Sequence, residues 1–214
     1  MADTQVANMT EDTNPGNDSL LYTEDDPAGT PVDRKATAAN ANAGLILLEQ
    51  QTASSSASLD FASWYSSSHD EYLITLMDIV PGTDTDNLHL LVSTDGGSSF
   101  LSGGGTYAVV DHAIGSDSSH IAAGGAQNPI ILTASMESSP TLPVSANIKL
   151  FDPGNSSFYT AMYMELVYIA STGVYVLRRS LKYYKATTPV NAFQIIASSG
   201  NLASGSVYVY GYRK

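Results

Sequence analysis

The sequence predicts an all-β protein: an antiparallel β-sandwich or jelly roll, with an extended N-terminal arm and at most one short helix. Three observations predict it. From Leu59 onward, apolar and polar residues alternate with a period of two, as on a half-buried strand. Turn residues cut these runs at short intervals. Charged residues make up only 14% of the chain, against roughly 25% in an average domain. Ser, Thr, Asn and Gly supply the polarity instead, and these residues favour turns over helices.

Taken in order, residues 1–55 read as an arm with its linker, and residues 56–214 as one sandwich domain. Residues 1–35 hold Pro15, Pro27 and Pro31, eight acidic residues and few apolar ones. Such a segment buries too little to fold alone. Its apolar spot, Leu20-Leu21-Tyr22, has the character of a strand that adds to something else. Residues 36–52 are alanine-rich and carry the only real helix propensity, weakened by Gly44, so a short helix or turn is predicted there. Thr52 to Ser58 reads as a Ser/Ala linker.

Strands then follow at Tyr72–Met77, Leu88–Val92, Thr106–Val110, Pro129–Ala134, Val144–Phe151, Phe158–Ala170, Val174–Tyr184, Ala192–Ala197 and Val207–Tyr212. Pro81-Gly82, Asp95-Gly96-Gly97, Asp152-Pro153-Gly154-Asn155 and Ser199-Gly200-Asn201 separate them. No helix-period pattern lies between the strands, which argues against a βαβ architecture. Leu73, Met77, Leu90, Val92, Ile148, Leu150, Leu166 and Val209 are the predicted core positions.

The 214 residues suit one large domain, or one domain plus an arm. The absence of cysteine excludes a disulfide scaffold, a thiol nucleophile, Cys-ligated zinc and an iron–sulfur cluster. No apolar run approaches the length of a membrane-spanning helix, so no membrane insertion is expected. The N-terminus has neither the basic nor the apolar region of a signal peptide, and folding in a cytoplasm is expected.

Charge is unevenly spread. Residues 1–148 hold 19 acids against Arg34 and Lys35, a net −17, whereas residues 149–214 hold 2 acids and 7 bases, a net +5. An acidic surface repels phosphate backbones, so no nucleic-acid partner is expected. The asymmetry reads either as solvated loops or as head-to-tail complementarity between copies. The second reading predicts an assembly contact with Arg178, Arg179, Lys182 and Lys185 on the basic side and Glu24, Asp25 and Asp26 on the acidic side.

A search for chemistry returns little. There is no Gly-x-Ser-x-Gly elbow, and His69, His89, His112 and His120 are scattered. No two histidines have metal-ligand spacing, and Asp111 and His112 point to opposite faces of a strand. Asp84-Thr85-Asp86-Asn87 resembles the start of a calcium loop but lacks its later Gly and Glu. It reads as a loop satisfying its own backbone. Carboxylate pairs such as Asp70/Glu71 and Asp84/Asp86 leave a polysaccharide-degrading enzyme as the third reading. The glycine clusters at 96–97, 103–105 and 124–125 read as hairpin tips and bulges. No cofactor or metal is expected.

The last third carries nine of the thirteen tyrosines, and Arg178–Lys185 interleaves bases with aromatics. The stretch reads as a strand with one solvated basic face and one buried Leu/Tyr face, then as a protein interface, then as a single-strand nucleic-acid binder.

Residues 71–100 run into a strand ending Ile79-Val80-Pro81, an Asp-rich turn, and a strand ending Ser93-Thr94-Asp95-Gly96-Gly97-Ser98, followed by Ser99 and Phe100. Val190–Tyr212 carries Ser199-Gly200-Asn201, Gly205 and Tyr210-Gly211. Asp18–Asn40 includes Asp25-Asp26-Pro27-Ala28-Gly29-Thr30-Pro31-Val32. In this order the three segments resemble a module of tailed-bacteriophage structural proteins. Ser99 stands where the module has Thr. The resemblance implies an oligomeric β-sandwich on a virion, with an N-terminal anchor and no catalytic residues.

The expected protein is therefore non-enzymatic and homo-oligomeric, a trimer. It is a tail-associated fibre or adhesin facing a host surface receptor, or else a capsid decoration (cement) protein whose arm clamps the shell. The arm joins it to other virion proteins. Deleting residues 1–35 is expected to leave the sandwich folded and to abolish incorporation into particles, measured by circular dichroism and by particle composition.

Overall fold

The computed structural model describes residues 44–139, 141 and 143–212, and the backbone of two short strands at 20–23 and 34–37. These two strands, β1 (Leu20–Thr23) and β2 (Arg34–Thr37), pair antiparallel with Leu20 opposite Thr37. They lie in a compact unit, Met1–Gly44, distinct from the unit Leu45–Lys214.

The second unit holds twelve strands: β3 (Leu45–Ser56), β4 (Ser58–Phe61), β5 (Glu71–Pro81), β6 (Leu88–Ser93), β7 (Tyr107–Gly115), β8 (His120–Gln127), β9 (Ile130–Ile131), β10 (Val144–Phe151), β11 (Ala161–Ile169), β12 (Tyr175–Tyr184), β13 (Ala192–Ala197) and β14 (Leu202–Tyr212). They form two antiparallel sheets. The large one has the order β3-β14-β5-β10-β11-β12-β7-β8, and the small one β4-β13-β6-β9. The chain is all-β, a β-sandwich, and among the described residues there is no helix.

The predicted helix is therefore corrected over its described part. Leu45–Thr52 lie in β3, which pairs with β14 from Tyr212 opposite Leu45 to Leu202 opposite Ser56. A full antiparallel partner outweighs a modest local helix preference. Residues 38–43 lie outside the described residues. The Ser/Ala linker is likewise strand. Ser55 takes a positive φ of 54° and its carbonyl accepts a hydrogen bond from Asn201 at 3.0 Å. Three residues later the chain enters β4, so it passes from the large sheet to the small one at this corner. Residues 45–55, assigned to the arm by sequence, thus belong to the sandwich.

The core fills the space between the sheets. In β10, Val144, Ala146, Ile148 and Leu150 point inward while Ser145, Asn147, Lys149 and Phe151 alternate outward. Leu90, Val92, Ile148, Leu150, Leu166 and Val209 are buried as predicted. Leu73 and Met77 are not. β5 is apolar on both sides, so alternation alone leaves its face undecided. Tyr72 decides it: its ring packs edge-on against Trp64 at 4.6 Å and its hydroxyl bonds both backbone groups of Ser66. Ile74 and Leu76 follow Tyr72 inward, and Met77 is left 49% exposed.

Two local devices hold the sheets in register. Gly205 sits at φ 113°, where a Cβ would lie 2.6 Å from the Asp78 carbonyl oxygen, so only glycine allows β14 to approach the irregular end of β5. The turn after β6 is built around Asp95. Its carboxylate accepts the Ser93 hydroxyl at 2.7 Å, the Ser99 amide at 2.9 Å and the Ser99 hydroxyl at 2.6 Å. Those bonds, Ser99 first, hold its pKa down at about 2. Ser99 supplies the hydroxyl that Thr would bring to the same place.

Leu150→Ala and Leu166→Ala are each expected to cost about 2–5 kcal/mol. Met77→Ala is expected to stay within about 0.5 kcal/mol of the parent. Urea unfolding of the three variants checks the face assignment.

Candidate assembly surface

The predicted basic contact does not survive as one surface. Period two places Arg178, Ser180, Lys182 and Tyr184 on one side of β12, and that side faces inward. Ser180 is paired with Asp111 of β7, so Arg178 and Lys182, two residues to either side on the same face, flank one carboxylate. Arg178 donates to Asp111 Oδ2 at 2.7 Å and to the Leu132 carbonyl at 3.0 Å. Lys182 Nζ donates to both Asp111 oxygens, at 2.8 and 2.9 Å, and to Gln127 Oε1 at 3.2 Å. The Ser180 hydroxyl donates to Asp111 Oδ1. Lys182 is wholly buried. The reading of a solvated basic face over a buried Leu/Tyr face is thus corrected. A buried charge pairs or neutralises, and Asp111 provides the pair.

The electrostatics follow from this packing. Burial pushes the Lys182 ammonium down to about 8; Asp111 pulls it back only in part, and Arg178 repels it. Burial also pushes the Asp111 carboxyl up, but the bonds from Arg178, Lys182 and Ser180 together outweigh it and hold Asp111 below the usual carboxylate range.

The other two bases stand apart. Arg179 lies on the outer side of β12 and pairs with Glu165, its cross-strand partner on β11, at 2.7 Å. Lys185 is exposed just beyond β12. Glu24, Asp25 and Asp26 lie outside the described residues.

What β12 turns outward is more informative. Leu177, Arg179, Leu181 and Tyr183 join the outer side of the whole large sheet. Val167, Leu177 and Ile114 are successive cross-strand neighbours on β11, β12 and β7. A second row runs Leu73, Lys149, Tyr163, Leu181 and Val110. Val110 is 63% exposed and Val167 51%. Beside Val167 and Leu177 the face dips into a shallow hollow of about 480 Å³, also lined by Ile114, Pro143 and Tyr175. Charges on this face cancel locally: Lys149 bonds Glu71 at 2.8 Å, and Arg179 bonds Glu165. An apolar, charge-cancelled sheet face is suited to meeting another protein surface.

The acidic loop and the histidines are engaged locally. Asp84 accepts the Ser138 amide at 2.6 Å, and Asp86 accepts the Ser199 amide at 2.8 Å and the Ser198 hydroxyl. His69 Nδ1 lies 2.9 Å from the Tyr212 carbonyl. His112 and His120 have ring centroids 6.2 Å apart. Among the described residues, no cluster of three or more His, Asp or Glu is placed to hold a metal ion.

Asp111→Ala leaves two buried cations facing each other and is expected to cost about 3–5 kcal/mol in urea unfolding. The pH dependence has a definite sign. The folded chain binds the Lys182 proton less tightly than the unfolded chain, whose lysines titrate near about 10.4. Stability is therefore expected to rise from about pH 8 toward that value, and Lys182→Met to remove the rise. Asp111 contributes stability that is lost as pH falls below about 3.9. Thermal melting across pH checks both limbs.

No known protein family matches this chain, and neither a curated protein nor a solved structure matches it.

Proposed function

We propose that the chain is a non-enzymatic structural protein of a tailed-bacteriophage virion. It is a surface-exposed homotrimer, tail-associated as a fibre or adhesin that contributes to binding a host receptor. The N-terminal arm links it to other virion proteins. The observation that carries this reading is the outer side of the large sheet. Exposed Val110, Tyr163, Val167 and Leu177 stand there among ion pairs that leave the face near neutral, on a chain of net charge −12. Like-charged copies repel elsewhere and meet with least cost at such a face. The ordered resemblance of residues 18–40, 71–100 and 190–212 to phage structural modules supplies the virion context.

Quantitative mass spectrometry of purified particles tests it. A handful to a few dozen copies per particle are expected for a tail protein. Hundreds would make it a capsid decoration protein, and absence from the particle would overturn the reading.

A further inference from the structure

Among the described residues, both edges of the large sheet are open. At one edge, every residue of β8 from His120 to Ala126 is exposed, on both faces of the strand. At the other, Leu45, Ile46 and Leu47 of β3 are 45%, 36% and 50% exposed, so neither face is covered there either. The small sheet has half as many strands. Open edges present unpaired backbone donors and acceptors, and folded proteins usually blunt them with charge or proline. Ile121–Ala126 and Leu45–Leu48 contain neither.

We propose that these two edges are one joint: β8 of one copy adds to β3 of the next, head to tail, with Ala123 opposite Ile46 on the inner face and Ala122 opposite Leu47 on the outer face. Three observations fit the occupant. The first is direction. Each neighbouring pair in the large sheet is antiparallel, so β8 runs opposite to β3. A copy turned about an axis along the strands therefore presents its β3 antiparallel to β8, and the ladder continues unbroken. The second is size. The Ala122-Ala123-Gly124-Gly125 edge is flat, and the Leu45-Ile46-Leu47-Leu48 edge is large and apolar. Large side chains on the one edge thus stand beside a nearly bare strand on the other. The third is charge. Both segments are neutral on a strongly acidic chain, so copies approach there without repulsion.

A two-fold pairing of β8 with β8 leaves both Leu45–Leu48 edges open. The head-to-tail joint occupies both edges of every copy, and such joints close into rings when the rotation allows. The inference rests on the homo-oligomer of the preceding reading and gives it a contact.

The cysteine-free chain makes the test direct. In the full chain, Leu47→Cys is combined with Ala122→Cys, and separately Ile46→Cys with Ala123→Cys, alongside each single variant. After mild oxidation, the double variants are expected to give disulfide-linked trimer on non-reducing gels, and the single variants none. Sedimentation of the parent chain is read in parallel. A monomeric parent overturns the joint and the oligomer together. An oligomeric parent whose double variants stay unlinked overturns the joint alone. Dimers from a single Ala123→Cys or Leu47→Cys variant show like-with-like edges and also overturn it.

Discussion

The carboxylate of Asp111 is the constraint on which the large sheet depends. Two cations, Arg178 and Lys182, are drawn off the solvent side of β12 and held against it between the sheets. That choice fixes which half of β12 is interior. It sends Leu177, Leu181 and Tyr183 outward, and so composes the apolar outer face. The arrangement also ties together three strands, because Gln127 of β8 completes the shell around Lys182. A buried ion pair is weak evidence for stability in itself, since desolvation offsets much of the attraction. Its force lies in what it excludes. A one-residue slip of β12 against β7 would turn both cations outward and leave Asp111 buried with neither.

Much of the fold was legible in the sequence, and two of the exceptions share a cause. β10 reads correctly because its two sides differ sharply, Val144, Ala146, Ile148 and Leu150 against Ser145, Asn147 and Lys149. β5 and β12 do not read correctly because both of their sides carry plausible interior residues. The decision then belongs to a partner outside the strand, Trp64 for β5 and Asp111 for β12. A signal for the second was present. Tyr107, Val109 and Ala113 set the inward phase of β7, and Asp111 falls in that phase. An acid in a core phase implies a base to meet it, and Arg178–Lys182 is the richest nearby supply. β8 was missed for a different reason. Its alanines and glycines show no alternation, because neither of its faces is buried.

The candidate surface was legible only in outline. Composition placed bases and tyrosines together in the last third, which pointed to the right strands. It could not separate Arg178 and Lys182, which are interior, from Arg179, which is paired outside with Glu165. The unequal size of the two sheets was equally hidden. It follows from pairings such as β3 with β14 and β7 with β8, whose strands are weak or misleading when read singly. That inequality is what leaves the sandwich with uncovered margins as well as an uncovered face.

Burial of Lys182 also gives the protein an internal gauge. Its amine is sealed from solvent, whereas Lys149 and Lys185 meet water. An acylating reagent would therefore label Lys149 and Lys185 at once and reach Lys182 only during the brief openings that separate β12 from its cover. Reaction at that single nitrogen would clock how often the sandwich breathes, without any dye or tag.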